Sequence, residues 1–396
     1  MTASCKMSDS RSTADVVLCF NPGVSSLKFG LFSFDAHGEH RLASGVVSLL
    51  GTPQARASLD VGAFHSQKDC PNADFAEAVA AAIALLKQRA LPEASVVGHR
   101  VMHGGQVHVA PSRVDDALVT SLKQLIPLAP LLLPSQLQGL EAALSHMPNV
   151  PHVACFDTAF HAELPERAAR YALPSELYAQ GIRRYGFHGL SYEFVMSTLG
   201  AFPPNRVIIA RLGNGASLAA VREGRSIDTT TGFTPSSGIP MGTSAGDVDP
   251  GLLFYLQRQK GLSPDAAQHL IDHQSGLLGI GGSTDLRTLS DRQEHDARAH
   301  LAILMFGYAV RKTIGAYFAV LGGLDLLVFT GGIGESSAQV RKEACYGLRA
   351  LGIDLDDGKN ERNEREINAG SVPVLVVPAD EERMIARHAR AVLRAG

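Results

Sequence analysis

Two stretches of the chain, far apart in sequence, repeat one pattern. Residues 16–34 read VVLCFNPGVSSLKFGLFSF, and residues 206–224 read RVIIARLGNGASLAAVREG. In each stretch an apolar, strand-like run enters a glycine turn and a second strand-like run follows. Later in each half, a helical stretch leads to another strand that ends in paired glycines. Strand-rich openings followed by helix–strand alternation favour α/β layers, and their recurrence favours a duplicated domain, although two short hairpins can also be alike by chance.

Length and composition narrow the class of protein. With 396 residues the chain is too long for one ordinary core, so two domains are expected. Apolar residues make up 45% of the chain and charged residues 19%, as in compact soluble proteins. The net charge of -3 provides no basic stripe, which argues against nucleic acid as a main partner.

Three other features bear on location and cofactors. The first fifteen residues are polar and lack an apolar signal core, which predicts a frayed tail on a cytoplasmic protein. The longest apolar helix candidate, residues 297–321, contains Arg311 and Lys312; we interpret it as a core or interface helix and not as a membrane span. The five cysteines are scattered and form no C-x-x-C, which argues against disulfide and zinc frameworks.

Four glycine-containing turns each follow an apolar run, at residues 20–29, 99–105, 211–217 and 329–337. Glycine lets the backbone turn sharply and approach a ligand, and neighbouring amides then point at anionic oxygens. Together with Lys28, Arg100 and Arg211, the four turns predict a polyphosphate held between two lobes. The chain contains no G-x-x-x-x-G-K-[ST] and lacks the protein-kinase motifs, so the common phosphate-binding patterns do not apply.

Three polar residues near predicted strand ends are candidates for chemistry. Arg100 follows a buried-looking strand and needs an anionic partner, either a substrate carboxylate or a structural ion pair. Asp157 follows the apolar run HVACF, where α/β proteins form ligand sites, although helix capping would also explain it. His188 lies in RYGFHGLS beside an aromatic residue, and packing is the alternative to a function.

Several further segments carry weaker signals. Lys28 follows the first glycine turn, although an isolated lysine there is often only a solvated charge. Residues 228–250 form a long, hydroxyl-rich stretch without helix or strand period, and loops of that length are usually functional or mobile. Near the end of the chain, Glu381 and Glu382 either begin the last helix or hold a magnesium-bound water.

Ten ordered motifs give the chain a resemblance to the acetate kinase family, in the acetate-and-sugar-kinase/actin superfamily. The resemblance runs from about Val16 to Arg387. The motifs are NPGVSSLKF, GHRVMHGG, FDTAFH, YGFHGLS, LGNGAS, GFTP, GTSAGDVDP, DLR, FTGGIGE and PADEERMIAR. The resemblance implies a two-lobed, duplicated actin-like (ribonuclease H-like) α/β fold with a cleft. It also implies reversible, Mg²⁺-dependent phosphotransfer between ATP and acetate.

The resemblance also implies a lobe division and a partner. We expect a disordered tail at residues 1–14, a first lobe at 15–157 plus 383–396, and a second lobe at 158–382. The second lobe would carry the nucleotide cradle and the interface of a homodimer.

Matching positions imply roles for individual residues. Arg100 would hold the acetate carboxylate, His188 would stabilise the transferring phosphoryl group, and Asp157 would be the active-site acid. Because acetate is already ionised at neutral pH, we expect Asp157 to position a magnesium-bound water and not to remove a proton. The metal would be held by Asn21 and Glu381. The pocket for the methyl group would be lined by Met102, Leu131, Phe187 and Pro235. The nucleotide side would comprise Lys28, Arg211, Leu212, Gly213, Asn214, Gly215, Asp285, Leu286, Arg287, Gly332, Ile333, Gly334, Glu335 and Ser336.

Four departures from the family pattern lie near the chemistry. The family loop reads G-T-R, whereas this chain has Gly242-Thr243-Ser244. Ser244 therefore stands at a catalytic position where the family has a phosphate-stabilising arginine. Leu132 and Leu133 replace a histidine and an asparagine, Val24 replaces a serine, and Arg211 replaces a histidine. We hypothesise that Arg211 supplies the charge missing at Ser244. Two alternatives stay open: a kinase for another short acid such as propionate, and a nucleotide-binding protein that no longer turns over.

Overall fold

The computed structural model describes residues 15–130 and 132–395. The predicted disordered tail at residues 1–14 and the pocket residue Leu131 lie outside this part of the chain. The strands are β1 Asp15–Pro22, β2 Ser26–Asp35, β3 Gly38–Ser48, β4 Arg56–Val61, β5 Phe64–Asp69, β6 Val96–Val101, β7 Ser112–Arg113, β8 His152–Phe156, β9 Arg206–Arg211, β10 Ser217–Arg222, β11 Arg225–Thr229, β12 Leu326–Thr330 and β13 Val374–Val376.

The α-helices alternate with the later strands. They are α1 Phe75–Lys87, α2 Asp116–Gln124, α3 Leu133–His146, α4 Glu166–Ala169, α5 Ser175–Ala179, α6 Gly189–Thr198, α7 Pro250–Lys260, α8 Pro264–His273, α9 Gly276–Gly281, α10 Leu286–Arg292, α11 Ala297–Leu321, α12 Gly331–Ser336, α13 Ala338–Cys345, α14 Asp357–Glu361 and α15 Glu381–Ala395. Short 3₁₀ turns lie at Ile126–Leu128, Ala159–His161 and Arg349–Leu351.

The two predicted hairpins are the centres of two sheets with the same topology. The first sheet has the order β5-β4-β3-β2-β1-β6-β8-β7, and the second has the order β11-β10-β9-β12-β13. In both, three antiparallel strands continue into two parallel ones: β3-β2-β1 then β6-β8, and β11-β10-β9 then β12-β13. The predicted duplication of an α/β unit is therefore confirmed.

Helices cover both faces of the first sheet because its central strands are apolar on both sides. Helix α1 begins with a capping box between Asp74 and Glu77, and it packs with α3 over one face. The C-terminal helix α15 returns to cover the other face, where Ile385 and Ala389 pack against Val17. Burial on both faces explains why these strands read as continuous apolar runs. The division into lobes at fixed residue limits stays a prediction.

Helix α11 has one face in the second core and one face exposed. Its buried side chains, such as Phe306 and Val310, pack with residues of β9 and β12. Large apolar side chains on the same helix are exposed: Leu301, Met305, Tyr308 and Val320. Within the described residues, α11 is the one helix whose length and composition would allow it to cross a membrane, a test that core helices of soluble proteins also pass.

The carboxyl ends of the parallel strands carry the candidate residues. Asn21 lies near the end of β1, Arg100 near the end of β6, Asp157 directly after β8 and Arg211 at the end of β9. The glycine turn of residues 331–334 (GGIG) follows β12. Ligand sites of open α/β sheets form at such ends, so the fold brings the predicted residues to the edges where binding is expected.

Candidate active site

Arg100 and Asp157 form a buried ion pair at the ends of β6 and β8. Arg100 Nε donates to Asp157 Oδ2 at 2.9 Å, and Nη2 donates to the same oxygen at 2.5 Å. Arg100 Nη1 donates to Asn21 Oδ1 at 3.0 Å. The other carboxylate oxygen, Asp157 Oδ1, is buried and has no partner among the described residues. Arg100 and Asp157 thus form a structural ion pair in which Asp157 Oδ1 is left as a possible ligand atom.

The acidic start of α15 reaches the same cluster from the far end of the chain. Asn21 Nδ2 donates to Glu382 Oε1 at 2.7 Å, and Arg211 Nη2 donates to Glu381 Oε1 at 3.1 Å. Burial alone would raise the pKa of Glu381, but the charges of Arg211 and Arg100 lower it to about 2. Burial and the neighbouring charge of Glu381 raise the pKa of Glu382 above its ordinary value. The two glutamates therefore differ in the direction of their pKa shifts, downward for Glu381 and upward for Glu382.

These oxygens fit a magnesium ion that also binds phosphate. The described residues contain no group of three or more His, Cys, Asp or Glu side chains placed to cage a metal. Mg²⁺ does not need one, since it usually keeps several waters and takes one or two carboxylates plus substrate phosphates. The unpartnered Asp157 Oδ1 and the ionised Glu381 carboxylate are donors of the required kind.

The two glycine turns of the second sheet lie against each other. Leu212 N donates to Thr330 O at 2.8 Å, and Leu212 O accepts from Ile333 N at 2.9 Å and Gly334 N at 3.1 Å. Gly331 has φ 78°, and a Cβ there would lie 2.7 Å from Leu212 O, so only glycine fits. A Cβ on Gly332 would meet nothing within 4 Å, so its backbone borders open space. The two turns predicted for the nucleotide therefore form one surface.

Other residues predicted to contact nucleotide have varied surroundings. Lys28 is exposed on β2, in register with Asn21 on β1. Asp285 caps α10, accepting from Arg287 N at 3.0 Å, so the capping role that an Asp at a helix start suggests is present. The side chains of Leu212 and Leu286 are buried in the second core, which leaves only their backbones for a ligand.

A buried arginine that the sequence analysis did not single out supports the glycine turn after β12. Arg341 is fully buried, and Nη1 donates to the carbonyls of Gly334 at 2.8 Å and Glu335 at 3.0 Å. Its other donors bind Asn360 Oδ1, Asn360 O and Asn363 Oδ1, each at 2.7 Å. Nothing in the local sequence distinguishes this arginine from its exposed neighbours, because its partners come from another segment.

We expect the substitution Arg341→Met to lower the free energy of unfolding by about 3 kcal/mol or more, because it leaves several buried carbonyls without donors. We also expect KM for ATP to rise, since the turn loses its support. Urea unfolding and initial rates measure the two effects. Arg349→Met, at an exposed arginine in an ion pair, is the control; equal stability losses in both variants would contradict the supporting role.

The predicted methyl pocket belongs to an apolar cluster. Met102 and Phe187 are both buried in it, together with Tyr185. Leu132 and Phe233 pack against the cluster, which brings the Leu-rich departure and the segment before Pro235 to the same place. Pro235 is half-buried. The predicted pocket residues Met102 and Phe187 thus share one apolar surface, the kind of surface that an acyl methyl group would contact.

Two buried histidines stand behind this wall. His161 Nε2 donates to Phe187 O at 3.0 Å, and His103 packs against Tyr185 with ring centroids 4.4 Å apart. Burial lowers the pKa of each to about 4. Both rings are therefore neutral at pH 7 and act as packing groups.

These histidines predict a loss of stability in mild acid. Between pH 6.5 and 4 the unfolded chain binds protons at both rings that the folded protein excludes, so unfolding becomes easier as pH falls. Across the whole window, each histidine lowers the free energy of unfolding by on the order of 3 kcal/mol. We expect urea midpoints to fall across this window, and to fall less in His103→Asn. An unchanged pH dependence in that variant would show that His103 is not involved.

His188 begins α6 with left-handed backbone angles, φ 60° and ψ 23°. Its Nδ1 lies 2.8 Å from Ser217 Oγ on β10, and the Tyr192 hydroxyl lies 2.5 Å from the same oxygen. Burial, then the charges of Arg211 and Arg100, lower the pKa of His188 well below its ordinary value. The ring is thus neutral, and its orientation is fixed by the hydrogen bond between Nδ1 and Ser217. The sequence analysis did not assign roles to Ser217 and Tyr192.

Ser244 lies in a tight loop that is attached to the helices beside it. Its Oγ donates to Asp272 O at 3.3 Å, and its carbonyl accepts from Met241 N at 2.9 Å. Within the same loop, Gly242 N donates to Asn214 O at 2.9 Å, which joins the loop to the nucleotide turn. Arg211 lies on that turn, where Nη1 donates to Gly215 O at 2.9 Å and Nε is buried without a partner among the described residues. The lost and the gained arginine positions are therefore connected through one turn.

Comparison with known proteins gives a consistent result. Residues 16–387 match the model of the Acetokinase family. The chain is 43% identical over 403 residues to the acetate kinase of Syntrophobacter fumaroxidans, a match covering 96% of this chain and 98% of that protein. The structure is similar to a crystal structure of a propionate kinase from Francisella tularensis, with TM-score 0.89, 35% identity and coverage of 96% and 100%. It is also similar to Porphyromonas gingivalis acetate kinase, with TM-score 0.85, 37% identity and the same coverage.

These matches span nearly the whole length of each protein and agree with the two-lobed fold and the motif order described above. The chain belongs to the acetokinase family.

Proposed function

We propose that this protein transfers the γ-phosphoryl group of ATP to acetate, reversibly, giving acetyl phosphate and ADP. The observation that carries the proposal is the buried cluster of Arg100, Asp157 and Asn21 at strand ends. It sits in a chain of the acetokinase family whose second sheet bears two joined glycine turns. ATP is the co-substrate of that family's reaction.

The main obstacle in this reaction is charge, because a carboxylate must approach a polyphosphate. An oxygen of the acetate carboxylate attacks the γ-phosphorus, and the bond to the bridging oxygen of ADP breaks. Acetate is ionised at neutral pH, so no base is required, and catalysis depends on alignment and fixed positive charge. Arg100 would bind the carboxylate, and His188 would donate to the phosphoryl oxygens. The apolar wall of Met102 and Phe187 would receive the methyl group.

Magnesium would be held through Glu381, Asn21 and water positioned by Asp157, and when bound it would neutralise phosphate charge. The other proposed nucleotide contacts are the backbone of residues 211–215 and 332–336, with Lys28, Asp285 and Arg287 at the edges. The proposal of a magnesium site is supported by the chemistry of two oxygens, the unpartnered Asp157 Oδ1 and the ionised Glu381 carboxylate.

A second candidate substrate is propionate. The wall contains Leu132 where the family resemblance expects histidine, and the structure is similar to a propionate kinase. The test is to incubate the protein with Mg²⁺-ATP and a panel of short acids and to trap acyl phosphate with hydroxylamine. Acetyl hydroxamate as the main product supports the proposal. Propionyl hydroxamate as the main product would favour the second candidate, and ATP binding with no product, restored by Ser244→Arg, would identify a protein that no longer turns over.

We also propose a homodimer that buries the exposed face of α11, whose apolar side chains include Leu301, Met305 and Tyr308. Such a patch on a stable surface usually marks an interaction site. Sedimentation of the native protein and of a Leu301→Glu variant would test this. The cytoplasmic location stays a prediction from the sequence.

A further inference from the structure

Tyr192, Ser217 and His188 form a chain of hydrogen bonds that ends at the cleft. Tyr192 lies on α6 and Ser217 on β10, and both side chains are fully buried. The Tyr192 hydroxyl is 2.5 Å from Ser217 Oγ, which in turn is 2.8 Å from His188 Nδ1. In the described part of the chain, Ser217 Oγ is the only hydrogen-bond partner of the Tyr192 hydroxyl.

The number of hydroxyl protons in this series of hydrogen bonds determines which group donates in each bond. A phenol has one proton, and a buried phenol must donate it to an acceptor. Tyr192 therefore donates to Ser217 Oγ, because no other acceptor is within reach among the described residues. The proton of Ser217 then remains for His188 Nδ1. In a neutral imidazole one nitrogen accepts and the other carries the proton, so the proton of His188 lies on Nε2.

The Nε2 side of the ring faces the nucleotide turn. A Cβ placed on Gly215 would lie 3.3 Å from His188 Nε2, so the ring edge approaches the backbone of that turn. The carbonyl of Gly215 is already bound by Arg211 Nη1. An N–H on Nε2 is therefore directed to the region where the turn would present a phosphate.

We propose that Tyr192 and Ser217 are positioning residues that hold His188 in the Nε2–H tautomer, so that it donates a neutral hydrogen bond to an oxygen of the transferring phosphoryl group. The inference rests on the proposed function and extends it to two residues outside the ligand contacts. A neutral donor aimed at developing charge stabilises a transition state without reorganisation during the reaction. If the proton were on Nδ1 instead, Nε2 would present a lone pair to the phosphoryl oxygens and repel them.

The direct test is nitrogen-15 NMR of the histidine side chains in the ligand-free protein at neutral pH. The His188 signals are assigned by their loss in His188→Gln. We expect a one-bond proton coupling at Nε2 and none at Nδ1. A proton on Nδ1 in the native protein would overturn the proposal, whatever the variants do. This result does not depend on activity. If the native protein shows the Nε2 proton but makes no acyl phosphate, the proposed function is wrong and the assignment of the His188 tautomer still holds.

The kinetic test uses Tyr192→Phe and Ser217→Ala. We expect kcat to fall by about 10- to 100-fold in each, as when the partner that orients a metal-binding histidine is removed, with KM changed by less than about three-fold. In Tyr192→Phe the serine is no longer obliged to donate to the ring, so proton coupling should also appear at Nδ1. The control is Tyr185→Phe, which removes a buried hydroxyl that donates to Gly181 O at 2.9 Å. We expect this control to leave the His188 signals unchanged.

Thermal unfolding shows whether each variant is folded at the assay temperature. If folded Tyr192→Phe and Ser217→Ala retain kcat within two-fold of the native protein, the positioning role is wrong.

Discussion

The variant Arg100→Ala is expected to lose about 10³-fold in kcat/KM for acetate, because removing one fixed donor from developing charge costs on that order. Arg100 is the side chain whose planar fork joins Asp157 and Asn21, and it is the residue proposed to bind the substrate carboxylate. Without it, the Asp157 carboxylate, 1% exposed, has no counter-charge and would repel an incoming anion. The effect should therefore appear in both KM for acetate and kcat.

Two comparisons make this result specific. Arg100→Lys should recover only part of the activity, because an ammonium cannot reproduce the planar fork. Arg206→Ala removes another arginine–aspartate pair, with Asp325, at the opposite end of β9 from the proposed site. We expect that control to retain acetate kinetics. Binding of nucleotide to Arg100→Ala, measured by calorimetry, should change little, and equal losses of rate in the Arg100 and Arg206 variants would refute the assignment.

The second large effect is expected at Arg211. An arginine placed at the developing phosphoryl charge contributes roughly 10³- to 10⁵-fold in rate, so we expect Arg211→His to lower kcat by about 10³-fold if Arg211 compensates for Ser244. The structure supports a position close to the chemistry, since the guanidinium lies between Glu381 Oε1 and the nucleotide turn and its Nε has no partner among the described residues.

The compensation makes a further, sharper prediction. Ser244→Arg alone should change kcat little, whereas Ser244→Arg in the Arg211→His background should restore most of the lost rate. Such a non-additive pair is the signature of two groups that serve one charge. Arg222→His, at the far end of β10, controls for the loss of an arginine. If Arg211→His turns over as fast as the native protein, the compensation hypothesis is wrong.

The predictions from sequence succeeded where local pattern carries the information. Alternation of apolar runs and glycine turns located both hairpins, and strands β2 and β10 each begin at a serine after the turn, Ser26 and Ser217. The segment that starts with Asp74 and ends in Lys87 has the acid-first, base-last order that favours a helix, and it forms α1 with Asp74 as its cap. The family resemblance was confirmed over residues 16–387. The roles of individual site residues stay predictions, although the fold does bring Asn21, Arg100 and Asp157 into contact.

The sequence alone determined the α/β class, the duplication and the turn chemistry, because strand period and glycine conformation depend on neighbours along the chain. Only the tertiary structure decided the partners: Glu382 for Asn21, Glu381 for Arg211, Ser217 for His188, and carbonyl groups for Arg341. A hydrogen bond between residues 361 positions apart, such as that of Asn21 with Glu382, depends on how sheets and helices pack, and packing sums many weak contacts that no short segment contains. The same packing decides which charges are buried together, and so it, rather than local sequence, lowers the pKa of Glu381 and raises that of Glu382.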